Sequence, residues 1–413
     1  MLPTVPLPRK RLDDYGEACG PNAVERLREA ARPLAGARVL HINSTAFGGG
    51  VAELLHTQLP LFSDLGIEAT WAVMQGSDEY FVVTKAIHNG LQGAEVPWTS
   101  QMIETYLSQV EQNARELTET FDFVLVHDPQ PASLLPIFEQ EGRRTGTWLW
   151  RCHIDLSMPY RPVWEFFAPI VNRYDAAIFT LEEFAQSEIR GPKLAFIPPS
   201  IDPLSAKNGY LPEDTAYEVL KRYDIDRSRP IVSQVSRFDP WKDPIGVIDA
   251  YRLARKEVED LQLVMVGSMA HDDPEGWHYL NMTEEHRNGD PDIHLLTNFQ
   301  DVGSLEVNAF QRQSTVVIQK SIREGFGLVV SEAMWKKRPV IGGNVGGIRL
   351  QIEDGENGYL VDTAEECAER LVELLGDADL RNRFGAAGKQ RVHDRFLTLR
   401  ELQDQIELMA SFA

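Results

Sequence analysis

STVVIQKSIREGFGLVVSEAMWKK, Ser314–Lys337, passes from a β-branched run through a loop with two glycines into a segment with helical spacing. The loop therefore lies at the carboxyl end of a strand and just ahead of a helix N-terminus. Gly325 and Gly327 permit a backbone path that a ligand can approach closely. The helix beginning near Leu328 aims free N–H groups and the positive end of its dipole at the same place. A diphosphate matches that arrangement. Glu324 ahead of the helix and Glu332 on its second turn are then two acceptor carboxylates suited to sugar and ribose hydroxyls. From spacing alone the alternative stays open that Glu332 is a solvated helix residue and Glu324 a loop charge.

Outward from this stretch the same strand-loop-helix alternation repeats. PIVSQVSRF, a helix from about Asp243 to Glu257, LQLVMVGSM, IHLLTN, a helix around Glu306 to Arg312, RPVIGG and NGYLV form one series. RVLHINS (Arg38 to Ser44), a glycine-rich loop and helix, ATWAVM, a helical stretch from Gln101 to Thr120, FDFVLVHD, TWLWRCHID, AAIFTLEEF and KLAFIPPS form another. Short continuous apolar strands alternating with helices predict parallel sheets covered on both faces. PPSIDPLSAKNGYLPED (Pro198 to Asp214) is Pro-, Ser-, Asn- and Gly-rich without periodicity and reads as the linker. The expected fold class is α/β, with two Rossmann-like, doubly wound parallel-sheet domains facing each other across a cleft. The bounds are an N-terminal extension over 1–35, a first Rossmann-like domain over 36–205, and a second over 213–396. A last helix over 397–413 is expected to pack back on the first domain.

Composition sets limits on function. A chain of 413 residues with 43% hydrophobic and 25% charged side chains is an ordinary globular protein, long enough for two cores. With 41 Lys and Arg against 62 Asp and Glu, the formal charge of -21 disfavours nucleic acid or an anionic membrane as partner, so an anionic ligand needs a local cationic pocket. Neither a leader nor a spanning segment is read from the opening MLPTVPLPRKRLDDY or beyond it, and a cytoplasmic setting is expected. Cys19, Cys152 and Cys367 lack the spacing of disulfides or zinc ligands and read as core thiols.

Three further constellations sit at expected strand ends. In SRFDPWK, Arg237 and Lys242 can converge on a departing diphosphate, or form surface ion pairs with Asp239 or Asp243. In FGGGVAE, Gly48, Gly49 and Gly50 can turn N–H groups to an anion or a sugar, or simply make a tight turn. Glu53 occupies the third glycine position of the dinucleotide fingerprint, and no acid ends the next strand to grip a ribose, which weakens a nicotinamide dehydrogenase. In WRCHID, His153 and Asp155 should point across the cleft, although a strand-end histidine is more often structural than catalytic, and the same caution applies to His127 and Asp128. Asp272 with Asp273, and Asp290 with Asp292, read as solvated turn acids, not as a metal site.

Together these segments resemble the retaining GT-B glycosyltransferases, whose E-x7-E pattern is matched by Glu324 and Glu332. The ordered set FGGGVAE, LVHDPQPA, WRCHIDLS, PPSIDPLS, SRFDPWK, AHDDPEGW and SIREGFGL, from about residue 41 to beyond 350, looks like the trehalose glycosyltransferring synthases, which join a nucleotide-activated glucose to free glucose. The resemblance implies a retaining hexosyltransferase. It assigns Arg237 and Lys242 to the donor diphosphate, Glu332 and Leu328 to the nucleotide, and Glu324 with Gly325, Phe326 and Gly327 to the donor glucose. His153 would meet the donor's hydroxymethyl side, with Gly49, Gly50 and Asp155 on the acceptor or phosphate side and the Gly342–Gly347 stretch close to the nucleotide. The implied partners are NDP-glucose, glucose, trehalose and NDP, with no cofactor needed for the chemistry and no metal indicated. Assembly of identical subunits is compatible with this reading, and neither the nucleoside nor the physiological direction is fixed by it. The longer trehalose phosphorylases, which use inorganic phosphate in the same kind of cleft, are the nearest alternative. A noncatalytic sugar sensor is a third, disfavoured because Glu324, Glu332, Arg237 and Lys242 are all present.

Overall fold

The computed structural model describes residues 2–269 and 274–413. The chain forms two compact units, one of 1–199 with 398–413 and the other of 200–397. Among the described residues no helix is long and apolar enough to cross a membrane.

The first unit is built on six parallel strands: β1 (Arg38–Asn43), β2 (Glu68–Val73), β3 (Phe123–His127), β4 (Thr147–Arg151), β5 (Ala176–Phe179) and β6 (Lys193–Phe196). They lie in the order β2-β1-β3-β4-β5-β6, so the connections reverse direction between β1 and β3. The two-residue alternation of strands sorts the side chains. Leu40, Ile42, Val124, Val126, Trp148 and Trp150 enter one core, and Val39, Phe123, Leu125, Leu149 and Ile178 enter the other. His41, His127 and Arg151 stand two residues after Val39, Leu125 and Leu149, and so share the second face, where all three are buried.

The first 35 residues, set apart by sequence as an extension, are part of this unit. Val5 N–H donates to the Trp71 carbonyl and Val73 N–H to the Pro3 carbonyl, so the N-terminal segment covers the exposed edge of β2. The helix Pro21–Ala31 then buries Val24, Leu27 and Ala31 in the same core as Leu399, Leu402 and Ile406 of the last helix, Thr398–Ala410. Complete burial of a leucine such as Leu27 contributes about 1.5–3 kcal/mol.

The second unit has strands β7 (Ile231–Val235), β8 (Gln262–Gly267), β9 (Ile293–Thr297), β10 (Val316–Gln319), β11 (Val340–Gly343) and β12 (Tyr359–Val361). They are parallel in the order β12-β11-β10-β7-β8-β9, the doubly wound arrangement whose direction reverses between β7 and β10. Ligands of open α/β sheets bind outside the carboxyl ends of strands at such a reversal.

The segment read as a linker is not a free connector over most of its length. Asn308 Nδ2 donates to the carbonyls of Ala206 and Gly209, Arg312 donates to the carbonyl of Gly209, and Lys336 Nζ donates to Asn208 Oδ1 at 2.8 Å. Irregular backbone lacks internal partners, and these side chains supply them. The segment 200–212 is thereby fastened to the second unit.

Candidate active site

In the second unit the residues that matter gather at the β7/β10 reversal. β10 ends at Gln319, the loop 320–327 follows, and the helix Leu328–Trp335 starts behind Gly327, whose φ of 81° is left-handed. Glycine is required there because a side chain would strain the turn. Gln351 Nε2 donates to the Phe326 carbonyl at 2.6 Å, and Gly347 N–H to the Glu324 carbonyl at 3.2 Å, which hold the loop in shape. A Cβ on Gly347 would come within 2.4 Å of Phe326 Cα, so the glycine-rich stretch after β11 is there for close approach of the two loops.

From the other side of the reversal, β7 leads into a 3-10 turn, Pro240–Lys242, capped by the Asp239 carboxylate on Lys242 N–H. Ile322 N–H donates to the Trp241 carbonyl at 2.8 Å and ties the two loops together. Lys242 Nζ then reaches Glu324 Oε2 at 2.6 Å. The same oxygen accepts from Ser321 Oγ at 3.0 Å and Gln319 Nε2 at 3.3 Å. Three donors on Oε2 fix the carboxylate, and among the described residues Oε1 has no protein partner. Arg237 lies half exposed with one nitrogen 3.0 Å from Asp239 Oδ2, the ion pair that the sequence left open as the alternative. Lys242 does not pair with Asp239 or Asp243; Asp243 instead bonds Lys320 and caps the helix Pro244–Ala254.

Glu332 is not a solvated helix residue. It is 1% exposed, accepts from Gln311 Nε2 at 3.0 Å, and has Lys207 Nζ 3.3 Å from its other oxygen. Burial alone would raise its pKa, but the Lys207 and Lys336 ammonium groups and the Gln311 amide outweigh it and hold the carboxyl below its ordinary value. Lys207 belongs to the fastened segment 200–212, a partner that no local sequence signal identified. Leu328 is partly covered at the first helical position.

Asp290 and Asp292 are not solvated turn acids. Asp290 bonds Arg255 at 2.8 Å, and Asp292 bonds Arg229 at 2.7 Å and Arg255 at 2.5 Å. Asp272 and Asp273 lie outside the described residues.

In the first unit the corresponding positions follow β1, β3 and β4. Gly48 (φ 72°) and Gly49 (φ 79°) make the left-handed turn into the helix Gly49–Asp64, whereas Gly50 is helical. No heavy atom lies within 4 Å of a Cβ built on Gly48 or Gly49, so backbone conformation and not crowding demands the glycines. Asp155 does not point outward. It is buried, and its Oδ1 accepts from Ser157 N–H at 3.0 Å and Ser157 Oγ at 2.5 Å, a turn of the kind that short acidic side chains make. His153 remains partly exposed, with its backbone N–H donating to Asp128 Oδ1 at 2.7 Å.

His153 Nε2 lies 3.0 Å from His127 Nδ1, and His127 Nε2 lies 3.0 Å from His41 Nδ1. Behind them Arg151 bonds Glu401 of the last helix at 2.6 Å. Local pattern gives His127 the same caution as His153 and does not single out His41; the signal for both is that they fall in phase with Arg151 on adjacent strands.

Asp128 adopts φ 64°, and burial pushes its carboxyl up to about 7 against the lowering by the His153 N–H and Arg151. A raised acid pKa in the fold contributes stability that is full below the unfolded value of 3.8 and is lost as pH rises toward 7. Asp128→Asn keeps an acceptor and tolerates the left-handed backbone. It is expected to raise the melting temperature more at pH 8 than at pH 5; an equal change at both would refute the shifted carboxyl.

Residues 41–186 match the family model described as trehalose synthase, N-terminal domain, and residues 218–391 match glycosyl transferases group 1. Trehalose synthase of Rubrobacter xylanophilus is 49% identical, with 99% of each chain covered. Trehalose synthase of Thermococcus litoralis is 47% identical, with 98% of this chain and 97% of that protein covered. Among solved structures, a UDP-forming α,α-trehalose-phosphate synthase from Burkholderia xenovorans superposes with a TM-score of 0.72 at 16% identity, over 91% of this chain and 99% of the other. That likeness makes the fold GT-B.

Proposed function

From the premise that this chain belongs to the trehalose synthase family of glycosyltransferases, we propose that it transfers glucose from an NDP-glucose donor to free glucose with retention, forming α,α-trehalose. The observation that carries the reading is the Lys242–Glu324 pair at the β7/β10 reversal, set against the amino end of the helix Leu328–Trp335.

Cleaving the glycosidic bond of the donor builds positive charge on the sugar carbon and negative charge on the departing phosphate. Preorganised cations and helix N–H groups at that phosphate lower the barrier. Lys242 and Arg237 supply the cations in this reading, and the Gly327–Leu328 backbone supplies the N–H groups. Glu324 Oε1 and the Gly325–Gly327 backbone take the hydroxyls of the donor glucose, and Glu332 takes the ribose by exchanging its Lys207 contact for a hydroxyl. His153, Gly49 and Gly50 belong to the sugar and acceptor side.

The departing phosphate oxygen accepts the proton of the attacking hydroxyl on the same face, so the C1–O bond to NDP breaks as the bond to the acceptor oxygen forms and the configuration is kept. A covalent glycosyl-enzyme trapped on a side chain of the first unit would refute this step. The overall reading is tested by incubating the protein with ADP-, UDP- or GDP-glucose and glucose, and separately with trehalose and either a nucleoside diphosphate or phosphate. Trehalose formed from at least one nucleotide sugar is expected; cleavage of trehalose with phosphate alone would replace the reading by phosphorolysis.

A further inference from the structure

His41, His127 and His153 come from β1, from β3 and from just after β4, and the roles above use only the third. We propose that His41 and His127 are positioning residues that fix the tautomer of His153, so that its Nδ1, the nitrogen turned away from His127, carries a proton and donates to the substrate sugar. The identity of the accepting atom rests on the glycosyl-transfer reading; the tautomer does not.

The rings stack in sequence, with centroids 5.2 and 5.3 Å apart and Nδ1 of one facing Nε2 of the next at each step. Burial disfavours the charged form of all three, and the Arg151 guanidinium adds its repulsion; His41 is pushed down to about 3. Each neutral ring carries one proton, and each of the two contacts needs one. Only two assignments satisfy both contacts: every ring protonated on Nδ1, or every ring protonated on Nε2.

The far end of the chain chooses between them. His41 Nε2 is buried with no hydrogen-bond partner among the described residues, and Phe62 packs edge-on to that ring with centroids 5.6 Å apart. A buried N–H without an acceptor is rarer and costlier than a buried lone pair without a donor. The Nδ1–H assignment puts the lone pair at that closed end. It runs His41 Nδ1–H to His127 Nε2 and His127 Nδ1–H to His153 Nε2, leaving an Nδ1–H on the partly exposed His153 that has no hydrogen-bond partner among the described residues. A neutral donor there binds a sugar hydroxyl oxygen without setting a cation beside a carbon that turns positive.

The test is ¹⁵N NMR of the whole, ligand-free protein with labelled histidines at pH 7.5, with signals assigned by single substitution among the 10 histidines. His41, His127 and His153 are expected in the neutral Nδ1–H form; Nε2–H on His127 or His153, or a charged ring, overturns the proposal. His41→Asn places an amide N–H near the Nδ1 position, whereas His41→Phe keeps a ring and removes the donor. The Phe variant is expected to lose the single His153 tautomer and about tenfold in kcat with less than a threefold change in donor KM, while the Asn variant keeps kcat within about threefold. Equal losses in both variants, or none in either, overturn it. Because the tautomers are read without substrate, a protein with the expected tautomers but no trehalose synthesis would refute the functional reading and leave this one standing.

Discussion

Lys242→Ala is expected to lower kcat for trehalose formation from NDP-glucose about a hundredfold, the scale of losing one preorganised charge partner of a developing anion. Two effects act in the same direction. The ammonium no longer meets the departing phosphate, and Glu324, which Lys242 holds at 2.6 Å, keeps its negative charge close to that phosphate without compensation. Ser321 and Gln319 still bond Glu324 Oε2, so the carboxylate should stay in place, and the loss should appear in turnover and donor affinity and not in folding. Arg237→Ala should act on the same scale through the phosphate alone, since Asp239, its ion-pair partner among the described residues, is held independently as the cap of Pro240–Lys242. The coupling between Lys242 and Glu324 gives a sharper check. Glu324→Gln removes the uncompensated charge, so Lys242→Ala should cost less in a Glu324→Gln background than in the native one. Steady-state kinetics of the two single variants and the double variant decide it; rates within threefold of native in Lys242→Ala and Arg237→Ala would sink the diphosphate role.

The strands and the site loops were legible because they depend on local pattern. STVVIQ followed by Gly325, Gly327 and a helical run fixes a strand end, a left-handed turn and a helix start, and the structure places them at β10, Gly327 and Leu328. What local pattern could not supply is the partner of each charge. Glu332 looks the same in sequence whether it faces water or Lys207, because Lys207 is brought in by a segment 125 positions earlier that has no periodicity of its own. Asp290 and Asp292 look like turn acids until Arg255 and Arg229 reach them across the helix and strand that precede them. Asp155 was misplaced for the opposite reason: Ser157, two residues on, captures it locally. The N-terminal 35 residues carry no motif, and it takes the backbone bonds to β2 and the core shared by Leu27 with Leu402 to show that they complete the first unit.

Glu401→Gln is expected to destabilise the first unit by about 3 kcal/mol or more, because it leaves the Arg151 guanidinium buried without its counter-charge. Both side chains are nearly inaccessible, at 3% and 1%, and they meet at 2.6 Å. Burial holds the pKa of Arg151 below its ordinary value even with Glu401 present, which marks how far the charge is from solvent. The Arg151 nitrogen that meets Glu401 also bonds the neutral Ile197 carbonyl at 3.2 Å, and Nη1 has no hydrogen-bond partner among the described residues, so no second carboxylate bonds the guanidinium there. For a cooperative unit of roughly two hundred residues each kcal/mol shifts the melting temperature by about 2–4 °C, so a loss of roughly 10 °C should be seen by calorimetry. Replacing both partners by apolar residues, Arg151→Met with Glu401→Leu, removes the desolvated charges together and should recover most of that loss. Recovery would separate the cost of an unpaired charge from any need for the pair itself; a Glu401→Gln protein melting within about 2 °C of native would show that the guanidinium is compensated elsewhere. The same comparison bears on the histidines, since Arg151 is the cation that helps keep His41, His127 and His153 neutral. In the apolar double variant that repulsion is gone, while burial still opposes charging, so any rise in the histidine pKa values measures the guanidinium's share.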